Sequence, residues 1–229
     1  MKALILTAFI VISCILQISC KKDDDNNPPS ITVTDIDGNL YHAVTIGTQV
    51  WMVENLKVTR YRNGDLIGTT TPASLYVGDG RPPKYQWAYD SNDGNVAAYG
   101  RLYTWYAIKD SRKVCPVDWH VPSNAEWTEL TDYLGGEDVA GGKLKEIGLT
   151  HWNSPNEGAT NESGFTALPG GYRDNYGEIL NIGGLGYWWS STEYDAYSAW
   201  DRNMFYLYAN VNYHGSIKEY GFSVRCIRD

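Results

Sequence analysis

The stretch GYWWSSTEYDAYSAWDR, Gly186–Arg202, sets Trp188 and Trp189 side by side and places Trp200 eleven residues later. Neighbouring side chains in a β-strand point to opposite faces. A strand here therefore sends one indole to a core and the other elsewhere. Large aromatics are more often packed than exposed, so the expectation is one ring in the core and one covered by long loops. The alternative is an exposed stacking platform formed by Trp189, Tyr194, Tyr197 and Trp200.

Strand-like runs continue on both sides of this stretch. SAWDRNMFYLYA, NVNYHGSIK and GFSVRCIRD follow it as three further strands. Near the start, ITVTDIDGNLYHAVTIGTQVWMVENLKV alternates, with Tyr41, Ala43 and Thr45 on one face and Val44 and Ile46 on the other. Asp37-Gly38 and Ile46-Gly47 mark its tight turns, which reads as a hairpin or meander. Residues 61–98 are rich in Gly, Pro and Asp and read as long loops with one strand at Lys84–Tyr89. Helical spacing in GRLYTWYAIKD predicts a helix of about three turns. SNAEWTELTDYLGG carries the strongest helix signal. Ser123 and Glu126 form a capping box, Trp127, Leu130 and Leu134 follow at helical spacing, and Gly135-Gly136 ends the run. A further short helix, VAGGKLKEIG, is weakened by its glycines. With no internal repeat, the expectation is one α+β domain over 31–229, two short helices packed on twisted antiparallel sheets with long loops.

The 229 residues carry a net charge of −8, with 20% charged and 14% aromatic side chains, including 9 Trp and 18 Tyr against 4 Phe. An acidic chain of this kind lacks the basic stripe of a nucleic-acid binder. Tyr and Trp join an apolar body to a polar handle, which suits a shallow core, a wet interface or a sugar platform.

MKALILTAFIVISCILQISC has Lys2, an apolar run from Ala3 to Leu16, and a cysteine at its end. It reads as a secretory signal over 1–19, too short for a spanning helix. Cleavage before a lipid-bearing cysteine is the bacterial lipoprotein pattern, and Cys20 and Cys14 compete for that role. Cys20 is preferred because it leaves a longer apolar run and KKDDDNNPPS follows at once. That charged stretch cannot bury enough surface to order itself and reads as a flexible tether over 20–30. The implied partner is a lipid bilayer and the implied location is the outer membrane, at the cell surface or on the periplasmic side. Two cysteines remain, Cys115 and Cys226. In an oxidising compartment an even pair reads as a disulfide, with two buried free thiols as the alternative. The bond would close a loop of about 110 residues, worth on the order of 4–5 kcal/mol.

Six ordered motifs, DGNLYHAVTIGTQVWMVENLK, YTWYAI, CPVDWHVPSNAEWTEL, GATNESGFTALPGGYR, GYWWSST and GFSVRCIRD, together resemble the Fibrobacter succinogenes major paralogous domain. The resemblance spans Asp35 to Asp229. It implies a secreted or surface lipoprotein of the kind found in Fibrobacter and Bacteroidetes, from a family without assigned catalytic residues. WHVPSNAEW and GFSVRC are also similar to segments of the formylglycine-generating enzyme family, which implies a C-type-lectin-like fold. Such folds pair their N- and C-terminal strands and bond a cysteine near the first helix to the last strand, a role that fits Cys115 and Cys226. Fold does not carry function. The oxidase chemistry of that group needs two adjacent cysteines near the C-terminus, and only Cys226 is there.

Little else marks chemistry. No Gly-X-Ser-X-Gly turn is present, and His42, His120, His151 and His214 have no metal-ligand spacing, so each reads as structural or exposed. Glu162, Glu193 and Asp201 are candidate carboxylates for glycoside hydrolysis, which needs two acids facing one cleft. Calcium, which takes hard oxygen ligands, has candidate ligands in Asn156, Glu157, Asn161, Glu162 and Asp201, although the lectin ligand signatures are unmatched and these residue types also cap turns. No cofactor is otherwise implied. ALPGGYRDNYG reads as a structural loop in which Arg173 pairs with a buried acid. The expectation is a non-enzymatic surface lipoprotein that binds an extracellular ligand, carbohydrate first. An envelope protein-interaction module and an envelope hydrolase are the alternatives.

Overall fold

The computed structural model describes residues 31–70 and 82–229. The leader, Cys14, Cys20 and the tether lie outside the described residues. In chain order the elements are β1 (Ile31–Thr34), β2 (Leu40–Ile46), β3 (Gln49–Met52), β4 (Gln86–Ala88), α1 (Val96–Tyr99), β5 (Arg101–Tyr103), α2 (Trp105–Ile108) and β6 (Trp119–His120). Then come α3 (Asn124–Tyr133), α4 (Glu137–Leu144), β7 (Gly170–Arg173), β8 (Ile179–Ile182), β9 (Leu185–Glu193), β10 (Ser198–Phe205), β11 (Asn212–Ile217) and β12 (Ile227–Arg228). The fold is α+β and rich in sheet. Among the described residues no helix is long and apolar enough to cross a membrane.

Local chemistry explains most boundaries. The Asp35 carboxylate accepts from the backbone amides of Asp37 and Asn39, both at 2.9 Å, and so closes the turn between β1 and β2. α3 begins where the sequence places it, with the Ser123 hydroxyl accepting from the Glu126 amide and the Glu126 carboxylate accepting from the Ser123 amide. The three-turn helix expected over GRLYTWYAIKD is not formed. Arg101–Tyr103 pairs with β4 as a strand, and only Trp105–Ile108 turns, capped by Thr104. A short apolar run satisfies both periods, and the partner strand decides between them. α4 forms despite its glycines because its backbone must approach other backbone closely. A Cβ on Gly141 would lie 2.2 Å from the Asn210 carbonyl oxygen, and one on Gly142 would lie 2.3 Å from that of Gly158.

The strands form two five-stranded sheets, ordered β1-β2-β3-β12-β6 and β11-β10-β9-β7-β8, plus the β4-β5 pair. The second sheet is not purely antiparallel as expected. β7 and β9 run parallel, because the β7–β8 hairpin places β8 on the outside and the returning chain joins β7 on its other edge. The segment Gly221–Cys226 ties the parts together. Phe222 exchanges backbone bonds with Tyr103, and the Ser223 carbonyl accepts from the Trp189 amide at 3.1 Å. The Val224 and Cys226 carbonyls accept from Leu56 and Met52. Cys226 is bonded to Cys115 across 111 positions of chain, with Cα atoms 6.0 Å apart.

Two hydrophobic clusters lie on opposite faces of this framework. One gathers Tyr41, Met52, Tyr103, Trp105, Trp189 and Phe222. The other gathers Ile46, Trp51, Trp127, Trp152, Phe165 and Trp188. Successive residues of one strand thus enter different clusters, as Trp51 and Met52 do on β3 and Trp188 and Trp189 do on β9. Both indoles of the pair are fully buried. The second indole enters a second core, to which the loop residues Leu56, Val58 and Tyr61 contribute.

Candidate functional site

Trp189 is buried, as expected of the pair, and this removes it from the alternative platform. Its indole donates to the Tyr103 carbonyl at 2.7 Å, and its ring lies 4.3 Å from that of Phe222. Trp188 donates instead to the Asn55 amide oxygen at 2.8 Å. The other three platform candidates lie on β10 and on the turn that leads into it, beside the edge strand β11. Tyr194 is 54% exposed and Tyr197 79% exposed, on the turn between β9 and β10, while Trp200 is half-buried on β10.

Strand register brings in a ring that sequence reading missed. β10 pairs with β11 so that Trp200 lies opposite Gly215 and Arg202 opposite Tyr213. Trp200 meets Tyr194 edge to face at 4.7 Å and Tyr213 at 5.6 Å. Gly215 makes this possible, since a Cβ there would lie 2.5 Å from the Tyr194 ring. Tyr213, 43% exposed, sits in an alternating run, but only cross-strand pairing shows which rings it joins. The Arg202 guanidinium lies 5.1 Å from the Tyr213 ring centre and donates to the Asn124 amide oxygen at 2.9 Å, which anchors the row to α3.

The turn that carries Tyr194 and Tyr197 is held from below. The buried Lys218 ammonium donates to Glu193 at 2.7 Å and to the Asp195 and Ala196 carbonyls at 2.9 and 3.0 Å. The Asp195 carboxylate caps the turn by accepting from the Tyr197 and Ser198 amides. The result is a fixed row of exposed aromatic rings, with little ordering left for a ligand to impose.

On the opposite face of β10, Asp201 is wholly buried. Its oxygens accept from Ser216 at 2.7 Å and from Asn203 at 3.3 Å. Desolvation dominates these bonds and raises its carboxyl to about 6. The folded state therefore keeps a proton that the unfolded chain, with its ordinary value near ~4, has released. The stabilisation is complete below about pH 4 and is lost as pH rises through about 6. Urea titrations of Asp201→Asn should show a variant whose stability relative to the parent improves by roughly 2–3 kcal/mol between about pH 4 and pH 7. A difference that stays constant across that range would contradict the assignment.

The calcium candidates are not assembled into a ligand set. Asn156 is buried and donates to the Glu146 and Gly148 carbonyls. Asn161 closes a turn through both polar atoms onto Thr166. Glu162 pairs with Lys143 at 3.0 Å, Glu157 is exposed, and Asp201 lies in β10. Among the described residues no three His, Cys, Asp or Glu side chains are placed to hold a metal ion. The cation that these loops do surround is the chain's own. The buried Lys145 ammonium donates to the Glu157, Phe205 and Tyr208 carbonyls at 2.9, 3.3 and 2.8 Å.

The hydrolase candidates are similarly occupied. Glu162 and Glu193 are paired with lysines, and Asp201 has no exposed surface. Each histidine meets a polar partner: His42 with Glu54, His120 with Glu126 and Asp229, His151 with Glu146, and His214 with Asn203. Arg173 stacks on Trp87 at 4.0 Å and donates to the Asp174 carbonyl.

Residues 44–228 match the model of the Fibrobacter succinogenes major domain. No curated protein and no solved structure matches the chain.

Proposed function

We propose that the chain, which belongs to the Fibrobacter succinogenes major domain family, is a non-enzymatic surface lipoprotein of C-type-lectin-like architecture that binds extracellular carbohydrate. The observation that carries this reading is the row Tyr194–Trp200–Tyr213, which runs from the β9–β10 turn across β10 to the edge strand β11. Apolar ring faces with polar tips suit the alternating C–H and O–H surface of a sugar. The lectin-like reading is supported by the disulfide from the segment before α3 to the chain's end, and by β12 lying between β3 and β6. The anchor in the outer membrane rests on the leader and on Cys20. A protein-interaction module is the second reading, favoured by β11, an edge strand that an extended partner segment can extend.

Trp200→Ala tests the first reading. Its ring is only half-buried and belongs to neither hydrophobic cluster, so the fold should persist while glycan binding on an array or by titration weakens roughly tenfold or more. Undiminished glycan binding by the folded variant would sink the platform. Co-purification with an envelope protein, without any glycan signal, would favour the second reading.

A further inference from the structure

The turn after α2 folds back beside the disulfide and leaves a cleft of about 270 Å³. Its floor is apolar, with Ile108, Val114, Cys115 and Trp119 all buried. Its rim carries the exposed Lys109 and Lys113 together with Ser111 and Ser191. Lys84, Lys143 and Lys218 each meet a carboxylate at 2.7–3.0 Å, the buried Lys145 is met by backbone carbonyls, and Lys57 lies 5.5 Å from the Tyr41 ring. Among the described residues no carboxylate pairs with Lys109, 5.8 Å from the Trp105 ring, or with Lys113.

The acids nearby are already engaged. Asp110 is held by Arg112 at 2.8 and 2.9 Å and by Lys84 at 2.7 Å, and these hydrogen bonds keep its carboxyl well below the usual range. Glu126 and Asp229 are taken up by His120 on the rim. Asp118, on the adjoining turn, does not line the cleft. Arg62, which does not itself line the cleft, donates from its guanidinium to the Cys115, Pro116 and Trp119 carbonyls, and among the described residues no carboxylate pairs with it. In a chain of net charge −8 this cleft is a local cationic site.

We infer that the cleft takes the carboxylate of an acidic sugar, a uronic acid residue, with Lys109 and Lys113 on the anion and the apolar floor under the ring. Ser191 on the rim, near the end of β9, lies three residues before Tyr194 on the following turn, about 10 Å at most in extended chain. One acidic oligosaccharide can therefore seat its charge in the cleft and a neighbouring ring on the aromatic row. That combination rests on the proposed platform, whereas the charge selectivity rests on the cleft alone.

The test is calorimetric titration of the purified chain with trigalacturonate and with a neutral trigalactose, at about 0.05 M salt. The acidic trimer should bind about tenfold tighter or more, and the preference should shrink near ~0.5 M salt. Lys109→Gln/Lys113→Gln, at two exposed positions, should remove the preference and leave the neutral affinity and the melting temperature unchanged. Equal binding of the two trimers, no binding of the acidic one, or a preference that survives the double variant would overturn the inference. Inorganic phosphate binding as tightly as trigalacturonate would overturn it as well, by marking a free-anion site. If Trp200→Ala leaves both affinities intact while the lysine variant abolishes the preference, the platform fails and the cleft stands.

Discussion

Replacing both members of the disulfide, Cys115→Ala with Cys226→Ala, should lower the unfolding free energy by about 4–5 kcal/mol. The bond closes 111 positions of chain, and freeing a loop of that length restores that much entropy to the unfolded state. The folded state loses little by comparison, because both sulfurs are buried in an apolar cluster and alanine leaves only small voids. Urea denaturation should show a lower midpoint together with a larger slope, since the unfolded chain expands once the link is gone. A loss below ~1 kcal/mol would mean that the Gly221–Cys226 segment is held by its backbone bonds alone.

The second large effect is at the paired tryptophans. Trp188→Ala or Trp189→Ala should each destabilise by about 3–5 kcal/mol. Trp188→Ala also leaves the Asn55 amide oxygen without its indole donor, although Arg225 still donates to that oxygen at 2.8 Å. Because the rings enter separate clusters, the milder Trp188→Phe and Trp189→Phe should add almost independently despite being neighbours in sequence. A double-mutant cycle by urea unfolding should give a coupling below about 0.5 kcal/mol, as for sites without shared partners. Coupling of ~1 kcal/mol or more would place both rings in one cluster.

Local signals were legible in the sequence where one short segment carried its own cause. The capping box at Ser123 and Glu126, the turn at Asp37-Gly38 and the strand within Lys84–Tyr89 are of that kind. The cysteine pairing followed from compartment and count. Alternation also separated Trp188 from Trp189 correctly, and both were expected to be covered, but it could not tell that the second cover is a core of its own, because that core is made by segments far away in sequence. Gly141 and Gly142 read as helix breakers because nothing local reveals the Asn210 and Gly158 carbonyls that press on them. Much of the candidate site was hidden for the same reason. Tyr194, Tyr197 and Trp200 were visible as residues, yet the row they form with Tyr213 depends on the β10–β11 register. Lys109 and Lys113 became informative only once Lys84, Lys143 and Lys218 were seen to meet carboxylates.

The claim beneath this account is a division of labour: the adjacent indoles hold two interiors apart, while a distant third faces the ligand. Indole N–H resonances of the nine tryptophans, assigned and followed by nitrogen-15 NMR during titration with an oligosaccharide that binds, test it most directly. The account predicts that the Trp200 signal shifts progressively with ligand, while those of Trp188 and Trp189 stay in place and exchange slowly with deuterium. Movement of the Trp189 signal with a stationary Trp200 would contradict it.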